Sequence, residues 1–300
     1  MEIKQDIAFL THLFYRDPAI YLLDKLRDFG DHKIRISLLA GGKFNDKILT
    51  HANNIFSDVD HLVLKENRGS DQWGLYNLYT RFLDDIETDW IFYTHDKHIS
   101  KLEWLDECID PLMENSNLEK HLENLSIGMI SSTNWKMTNL SEAEITESVK
   151  EMPASRRIAI VRQRHTLCWL RELQFILLQN TGFQDMDNVN PTFTAGNLFF
   201  IRNHVISQAL QCVLDPSFFE DVYRCDGDVA HALERFYFYV STSLGYENQF
   251  LASEEKVWIE HSKISNKTRT TNEGLEKGHK ERMMKQKENY TYSPFKEQGN

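Results

Sequence analysis

Short apolar segments alternate with amphipathic segments through about the first 95 residues, and this alternation restricts the fold more than any other feature. Between the apolar segments, hydrophobic residues recur at helical spacing, and Gly30 can end the first helix. The resulting order β-α-β-α-β-α-β predicts an α/β fold with a mostly parallel, Rossmann-like central sheet and right-handed crossovers. The segments that suit buried strands are Asp6–Tyr15, Lys33–Ala40, His61–Leu64 and Trp90–Thr94.

The polar segments that follow these strands are where we expect chemistry. In open parallel sheets, ligands bind at the carboxyl ends of the strands. Three polar segments come directly after predicted strands, namely Gly41-Gly42, Asn67–Asp71 and His95–His98. The sequence therefore predicts that these segments share one edge of the sheet.

The second half of the chain is less regular. We expect strands at Ile127–Ser131 and at Pro191–Ile201, the latter with a glycine kink, and a polar loop or short helix over Thr138–Pro153. Predicted helices span Leu102–Met113, Ser155–Gln179, Asn203–Leu214 and Asp228–Leu244.

Charge and cysteine content exclude several classes of protein. The net charge is −11 over 300 residues. A protein that binds duplexes through phosphate contacts is usually basic, so we expect no nucleic-acid partner. The four cysteines form no CxxC pair, which favours reduced thiols. With neither a signal-peptide pattern nor an apolar stretch of about 20 residues, we expect a cytoplasmic protein.

The C-terminal segment differs in charge from the rest. Residues 261–300 contain nine Lys or Arg and five Glu, so we predict a folded domain over residues 1–250 and a basic, polar extension over residues 251–300. A flexible, solvated extension is one interpretation. The other is a segment that docks on an anionic membrane surface or on a partner enzyme.

The segment Trp90–Ser100 predicts a metal site. An apolar strand leads directly into Asp96 and His98, whose carboxylate and imidazole are suitable ligands for a divalent ion such as Mn²⁺. The alternative is a polar turn in which Asp96 caps the helix that follows.

Residues 66–71 (ENRGSD) predict a nucleotide contact. Asn67 and Gly69 suit a sharp turn from strand to helix, Arg68 could bind phosphate, and Asp71 could bind a ribose hydroxyl or a base edge. The alternative is that Ser70 or Asp71 caps the following helix, which is compatible with ligand binding.

Two later segments complete the candidate site. The small residues in Thr194–Asn197 would let a bulky ligand approach the backbone, or would form a bulge that serves packing alone. Asp228, His231 and Glu234 share one face of a predicted helix, where a carboxylate could accept the proton of a hydroxyl nucleophile. Alternatively, Asp228 is an N-cap and Glu234 pairs with an arginine at the surface.

Taken in order, these four segments resemble the rhamnan synthesis F family of bacterial polysaccharide glycosyltransferases, which have the GT-A fold. The family has an N-R-G-x-D loop, an aromatic strand ending in a short His-containing motif, an A-G-x-x-F strand and an A-H-A-x-E-R helix. The matching segments here are Asn67–Asp71, Trp90–His98, Ala195–Phe199 and Ala230–Arg235.

The resemblance implies transfer of a sugar from a nucleoside-diphosphate sugar to a saccharide, or to a lipid-linked saccharide, in O-antigen or capsule synthesis. It implies a cytoplasmic enzyme, peripheral at the inner face of the membrane, with Mn²⁺ or Mg²⁺ as cofactor. By position, the resemblance implies that the catalytic base is Asp228 or Glu234, with Asp228 slightly favoured, and that Asp96 and His98 are the metal ligands. The residues that would bind the donor are Asn67, Arg68, Asp71, Asp96 and Lys97. Those on the acceptor side would be Gly196, Asn197 and His231.

Several alternatives stay open. The usual Asp-x-Asp metal motif is Asp96-Lys97-His98 here, and His95 and Lys97 could instead match the family's His-x-Lys-Lys. Without a metal, Lys97 and Arg68 would neutralise the diphosphate. An inverting mechanism is expected, although a retaining one would need no base. A non-catalytic sugar- or nucleotide-binding module and a metal-dependent hydrolase with ligands His95, Asp96, His98 and His231 are the rival functions.

Overall fold

The structure is a computed structural model, and its description covers most of the first 250 residues. The described residues are 5–66, 68, 70–138, 147, 154–181, 192–213, 215–219 and 229–252. The polar segment predicted over residues 138–153 lies outside them apart from Thr138 and Glu147, and the predicted extension over residues 251–300 lies outside them apart from Leu251 and Ala252.

The first half of the chain forms the expected alternating unit. Its parallel strands pair in the spatial order β3-β2-β1-β4. The strands are β1 (Ile7–Leu13), β2 (Ile34–Leu39), β3 (Val59–Leu64) and β4 (Trp90–His95), and the connecting helices are α1 (Arg16–Arg27), α2 (Asn45–Ile55) and α3 (Ser70–Phe82). Short 3-10 turns cover Leu83–Asp85 and Ile99–Lys101.

The second half extends the same sheet. Its elements are α4 (Leu102–Met113), α5 (Leu118–Glu123), β5 (Ile127–Ser132), β6 (Lys136–Thr138), α6 (Ala154–Thr181), β7 (Thr192–Thr194), β8 (Phe199–Arg202), α7 (Asn203–Gln211), a 3-10 turn at Pro216–Phe218, α8 (Val229–Ser243) and β9 (Glu247–Leu251). The seven-stranded sheet has the order β3-β2-β1-β4-β8-β5-β9. Strand β8 is antiparallel to both neighbours, and the other pairs are parallel. The predicted α/β class with a mostly parallel central sheet is therefore confirmed, and the sheet is compatible with a Rossmann-like fold.

Helices cover both faces of this sheet, and each face has its own apolar core. On one face, Phe9 and Phe92 pack with residues of α1, α2, α4 and α5. On the other, Leu10 and Tyr93 pack with residues of α3, α6, α7 and α8. Because neighbouring residues of a strand point to opposite faces, strands buried on both sides are largely apolar. This explains the continuous apolar segments of the sequence.

One predicted strand is in fact two. Residues 191–201 were expected to form one strand with a glycine kink, but β7 pairs with β6 in a separate two-stranded sheet, whereas β8 lies in the central sheet. Between them the backbone takes positive φ angles at Gly196 (φ 113°) and Asn197 (φ 54°). Two consecutive residues outside the β region end a strand, so the prediction of one strand was wrong.

Within the part of the chain described, no helix is both long and apolar enough to cross a membrane.

Candidate functional site

The order of the strands reverses at β1. From β1 the chain goes first to β2 and β3 on one side, and then to β4 on the other side, which leaves a crevice between the ends of β1 and β4. Such a crevice is the usual ligand position in an open α/β sheet. Here the Asp96 side chain bridges the crevice, because its carboxylate accepts the N–H groups of Phe14 (3.0 Å to each oxygen) and Tyr15 (2.6 Å). The carboxylate thereby connects the end of β4 to the start of α1.

Burial has the largest effect on the pKa of Asp96. The residue is 6% exposed, and desolvation raises the pKa of its carboxyl to about 7, although the N–H groups of Phe14 and Tyr15 act in the opposite direction. The alternative prediction, that Asp96 caps the helix after β4, was wrong. His98 is the capping residue there, since its ring nitrogen accepts the N–H of Ser100.

The predicted metal ligands therefore have separate partners. Asp96 accepts the amides at the start of α1, whereas His98 is exposed, accepts from Ser100 and lies edge-on to Tyr15. Among the described residues, no group of three or more His, Cys, Asp or Glu side chains is placed to hold an ion. If Asp96 and His98 held a divalent ion, substrate and water would have to supply much of its coordination.

Asp71 lies in the first turn of α3 and is 9% exposed. Its Oδ2 accepts a hydrogen bond from Asn197 Nδ2 (2.5 Å) and lies 3.3 Å from His95 Nε2. Burial favours the neutral acid, but the nearby His95 and Lys97 and the Asn197 hydrogen bond outweigh it and hold the pKa of Asp71 below its usual range. Asp71 is therefore an ionised carboxylate inside the protein.

His95, the last residue of β4, connects Asp71 to the turn before β8. Its Nε2 lies 2.8 Å from the Gly196 carbonyl oxygen, and its Nδ1 lies 3.0 Å from the carbonyl oxygen of Asp96. Burial lowers the pKa of His95, while the charge of Asp71 and the two carbonyl contacts act against that shift. The ring is thus fixed by contacts at both nitrogens.

Glu234 approaches the same turn from α8. Its Oε1 accepts the backbone N–H of Gly196 (2.5 Å), and its Oε2 lies 3.6 Å from Nη1 of Arg235. Burial raises the pKa of Glu234, and Arg235 and the Gly196 amide act in the opposite direction. The alternative prediction was right about the partner, since Glu234 pairs with the neighbouring Arg235, but wrong about the surface, since both residues are buried.

The turn itself requires small or permissive residues. A Cβ on Gly196 would collide with the indole ring of Trp104, and the φ of 113° is unfavourable for any residue with a Cβ. Asn197 follows in the left-handed region, which asparagine tolerates better than most residues. The close contact that the sequence suggested for a ligand is made by Trp104 of the chain itself.

Direct contacts thus join all four segments that the sequence singled out. Asp71 contacts His95 and Asn197, His95 contacts Gly196, and Gly196 contacts Glu234.

The other predicted residues are less integrated or lie outside the described residues. Arg68 pairs with Glu66 (2.6 Å), Lys97 lies over the Trp104 ring (4.9 Å), and the His231 carbonyl accepts a hydrogen bond from Arg235. Asn67 and Asp228 lie outside the described residues.

His12 belongs to this cluster, although sequence reasoning did not identify it. It lies in register with His95 on the neighbouring strand, and its Nδ1 is 2.8 Å from the Ser37 hydroxyl. Burial lowers its pKa to about 4. Gly74 of α3 packs so closely on this ring that a Cβ there would collide with it. A histidine within an otherwise apolar strand was the available signal.

Two buried amide groups beside Asp71 have an unpaired atom. Asn197 Oδ1 and Gln72 Nε2 have no hydrogen-bond partner among the described residues, although the residues are only 6% and 1% exposed. Gln72 accepts the Tyr237 hydroxyl through its other atom (2.7 Å). Buried polar atoms are usually paired, so these two mark the cluster as a place where a ligand or water could bind.

Comparison with models of known protein families finds no match to this chain. A search of curated protein sequences also finds no significant match.

Proposed function

We propose that the protein is a GT-A-type glycosyltransferase that transfers a sugar from a nucleoside-diphosphate sugar to a saccharide, or to a lipid-linked saccharide, in bacterial surface polysaccharide synthesis. One observation carries the proposal. The four sequence segments that resemble the rhamnan synthesis F family, far apart in the chain, meet through direct contacts among Asp71, His95, Gly196, Asn197 and Glu234. Segments that together form one active site have to meet in this way.

The position of the cluster supports the same proposal. It lies at the carboxyl edge of the parallel strands, beside the crevice between β1 and β4 where α/β proteins bind nucleotides. We place the enzyme in the cytoplasm, at the inner face of the membrane, because both the donor and a lipid-linked acceptor would be reached there.

Lys97 and Arg68 are the proposed donor-binding cations. Lys97 lies two residues after the end of β4, and its charge lowers the pKa of Asp71. A cation at this edge would stabilise the negative charge that grows on the departing nucleoside diphosphate. We propose that the Asp71 carboxylate accepts a hydrogen bond from a hydroxyl of the sugar donor, since an ionised, buried carboxylate is a strong acceptor. A bound Mn²⁺ or Mg²⁺ on Asp96 and His98 would supply Lewis-acid stabilisation of the same charge.

Glu234 and Asp228 are the proposed acceptor-side carboxylates. In an inverting displacement, one carboxylate accepts the proton of the attacking hydroxyl. The raised pKa of Glu234 brings it nearer to neutral pH, where a general base is most effective. Asp228, which the sequence slightly favoured, directly precedes the first residue of α8 and is the other candidate.

The first test is a thermal-shift panel of UDP-, dTDP- and GDP-linked sugars, each with and without Mn²⁺. A ligand that binds only the folded state raises the unfolding midpoint. We expect one nucleotide class to raise it. A further rise with Mn²⁺ that is lost in Asp96→Ala supports the metal, and a rise without Mn²⁺ supports Lys97 and Arg68 as the counter-charges. No rise with any donor would contradict the proposal.

The second test identifies the base. We expect Glu234→Gln or Asp228→Asn to lower kcat by about 10²–10⁴-fold with donor affinity little changed. If neither substitution lowers kcat, the inverting assignment is wrong.

A non-catalytic sugar- or nucleotide-binding module is the second candidate. It is favoured by the fact that Asp96 and Glu234 both accept backbone N–H groups, as carboxylates with a purely structural role do. Such a module would bind a donor or saccharide and show no transfer, and no change at Asp228 or Glu234 would alter a rate.

A further inference from the structure

Two tryptophans extend the edge of the sheet beyond the cluster. Trp104 lies in α4, and Trp135 lies in the connection between β5 and β6. Their ring centroids are 6.5 Å apart with an angle of 61° between the ring planes. We refer to these two side chains as the indole corner.

The indole corner is attached directly to the candidate site. The Trp104 ring fills the space beside the missing Cβ of Gly196 and lies 5.7 Å from the His95 ring. The carbonyl oxygen of Trp135 accepts the N–H of Ala195, the residue before Gly196 (3.0 Å). A molecule resting on Trp135 would therefore be adjacent to the turn that Glu234 and His95 hold.

Trp135 is exposed but fixed. Its side chain is 38% exposed, yet its indole N–H donates to Glu107 Oε2 (3.1 Å), and the neighbouring Asn134 amide donates to the Glu107 carbonyl (2.7 Å). A tryptophan held in this way offers a large apolar face without losing rotamer freedom on binding. This distinguishes it from an isolated apolar side chain at the surface.

Opposite charges flank the indole corner. The Lys97 ammonium lies 4.9 Å from the Trp104 ring centroid, and the Glu107 carboxylate contacts Trp135. A flat apolar face with one hydrogen-bond acceptor and one donor at its sides matches a sugar ring, which has an apolar C–H face and hydroxyls around its rim. The carboxylate beside Trp135 disfavours a phosphate there, since like charges repel.

We propose that the indole corner is a saccharide-binding subsite, with a pyranose ring stacked on Trp135, one hydroxyl donating to Glu107 and another accepting from Lys97. The assignment of that saccharide as the acceptor of a transfer reaction rests on the proposed function. The binding of a saccharide at Trp135 does not.

Saturation-transfer NMR tests the subsite on the full chain. The probes are the methyl glycosides of glucose, galactose, mannose and rhamnose at millimolar concentration. We expect saturation transfer to the C–H protons of at least one glycoside, and at least a fivefold loss of signal in Trp135→Ala. The matched control is Phe175→Ala, which removes another exposed aromatic side chain (47% exposed) on α6 and should leave the signal unchanged.

Glu107→Gln is the second variant, in case Trp135→Ala does not fold. It keeps an oxygen that can accept the Trp135 N–H but removes the charge, and we expect at least threefold weaker glycoside binding. The subsite is overturned if none of the four glycosides gives a signal with the wild type, or if the signal survives both Trp135→Ala and Glu107→Gln.

A nucleotide arm separates this inference from the proposed function. Thermal shifts with UDP, dTDP and GDP are measured on the wild type and on Trp135→Ala. Glycoside binding that depends on Trp135, together with a nucleotide shift retained in the variant, supports both. Glycoside binding without any nucleotide shift supports the subsite and contradicts the transferase. A thermal shift with a nucleotide but no glycoside signal supports the transferase and contradicts the subsite.

Discussion

The backbone N–H of Gly196 donates a hydrogen bond of 2.5 Å to Oε1 of Glu234, 38 residues later in the chain. The contact joins the turn before β8 to the buried face of α8, so that two of the four recognised segments depend on each other for position. The carbonyl of the same glycine contacts His95. The peptide group before Gly196 is therefore held by α8, and the peptide group after it is held by β4. The turn is therefore fixed from both directions.

Substitution of Glu234 should show how much its hydrogen bond with the Gly196 amide contributes to the free energy of unfolding. Glu234→Gln keeps an acceptor for the Gly196 amide, and we expect its free energy of unfolding to stay within about 1 kcal/mol of wild type. Glu234→Ala leaves a buried N–H unpaired and should cost about 1–3 kcal/mol more than Gln. Urea unfolding measures both. Equal stability of the two variants would mean that the hydrogen bond contributes little.

Gly196→Ala should be considerably more destabilising than a glycine substitution that affects the backbone alone. The matched control is Gly245→Ala, where φ is 84° and a Cβ would meet no atom within 4 Å. The control should cost about 1–2 kcal/mol for a left-handed alanine. Gly196→Ala should cost about 1–3 kcal/mol more, because its Cβ also collides with Trp104.

A double-mutant cycle with Trp104→Ala isolates that collision. Once the indole is removed, the extra cost of Gly196→Ala should largely disappear. If the cost of Gly196→Ala is the same in both backgrounds, Trp104 does not determine the need for glycine.

The contact between Asp71 and Asn197 can be tested by exchanging the aspartate and the asparagine between the two positions. Asn197→Asp would place two buried carboxylates at the present 2.5 Å contact, which we expect to cost about 2–4 kcal/mol through repulsion and the loss of the amide donor. Adding Asp71→Asn restores a donor and an acceptor and should recover part of this loss. Chemical denaturation of the two single variants and the double variant measures the coupling. Strictly additive costs would argue against the contact.

His12 should make stability depend on pH between about 4 and 6.5. Its pKa is about 4 in the folded protein and 6.5 ordinarily, so within this window the unfolded chain binds a proton that the folded protein does not. The His12 contribution to stability should therefore rise with pH through the window, by about 3 kcal/mol in total for a shift of this size.

His12→Gln should remove this contribution, so that between pH 4 and 6.5 its free energy of unfolding, measured by urea unfolding at each pH, gains about 3 kcal/mol less than that of the wild type. The raised pKa of Asp96 acts with the opposite sign in both proteins, so the difference between them reports His12. The exposed His61→Gln is the control and should keep the wild-type slope. An unchanged slope in His12→Gln would contradict the assignment.

The sequence predicts the strand-helix order well because each element has its own local signal. Lys33–Ala40 contains the apolar residues Ile34, Ile36, Leu38 and Leu39, and the observed strand β2, Ile34–Leu39, differs by one residue at each end. Helix α4 was predicted at the observed bounds, Leu102–Met113. The short edge strand β9, Glu247–Leu251, was missed, because an edge strand with half-exposed polar residues lacks the apolar pattern of the central strands.

The candidate site was predictable as a set of segments but not as a set of contacts. Strand-end positions placed Asp71 and His95 at one edge, as observed. That Asp96 accepts the amides of Phe14 and Tyr15 depends on how α1 leaves the sheet, which no local pattern reports. His12 lies in a strand that was predicted as buried, but its contact with Gly74 depends on how α3 packs on the sheet, which the sequence pattern does not show.

The direction of β8 gives this edge an unusual polarity. Parallel strands all end there with carbonyl groups, whereas β8 runs the other way and begins there. Its incoming turn brings a backbone N–H, that of Gly196, to an edge where the parallel strands end in acceptors. One reversed strand thus places a main-chain donor among main-chain acceptors, and this donor fixes the carboxylate of Glu234 at the edge where the parallel strands end.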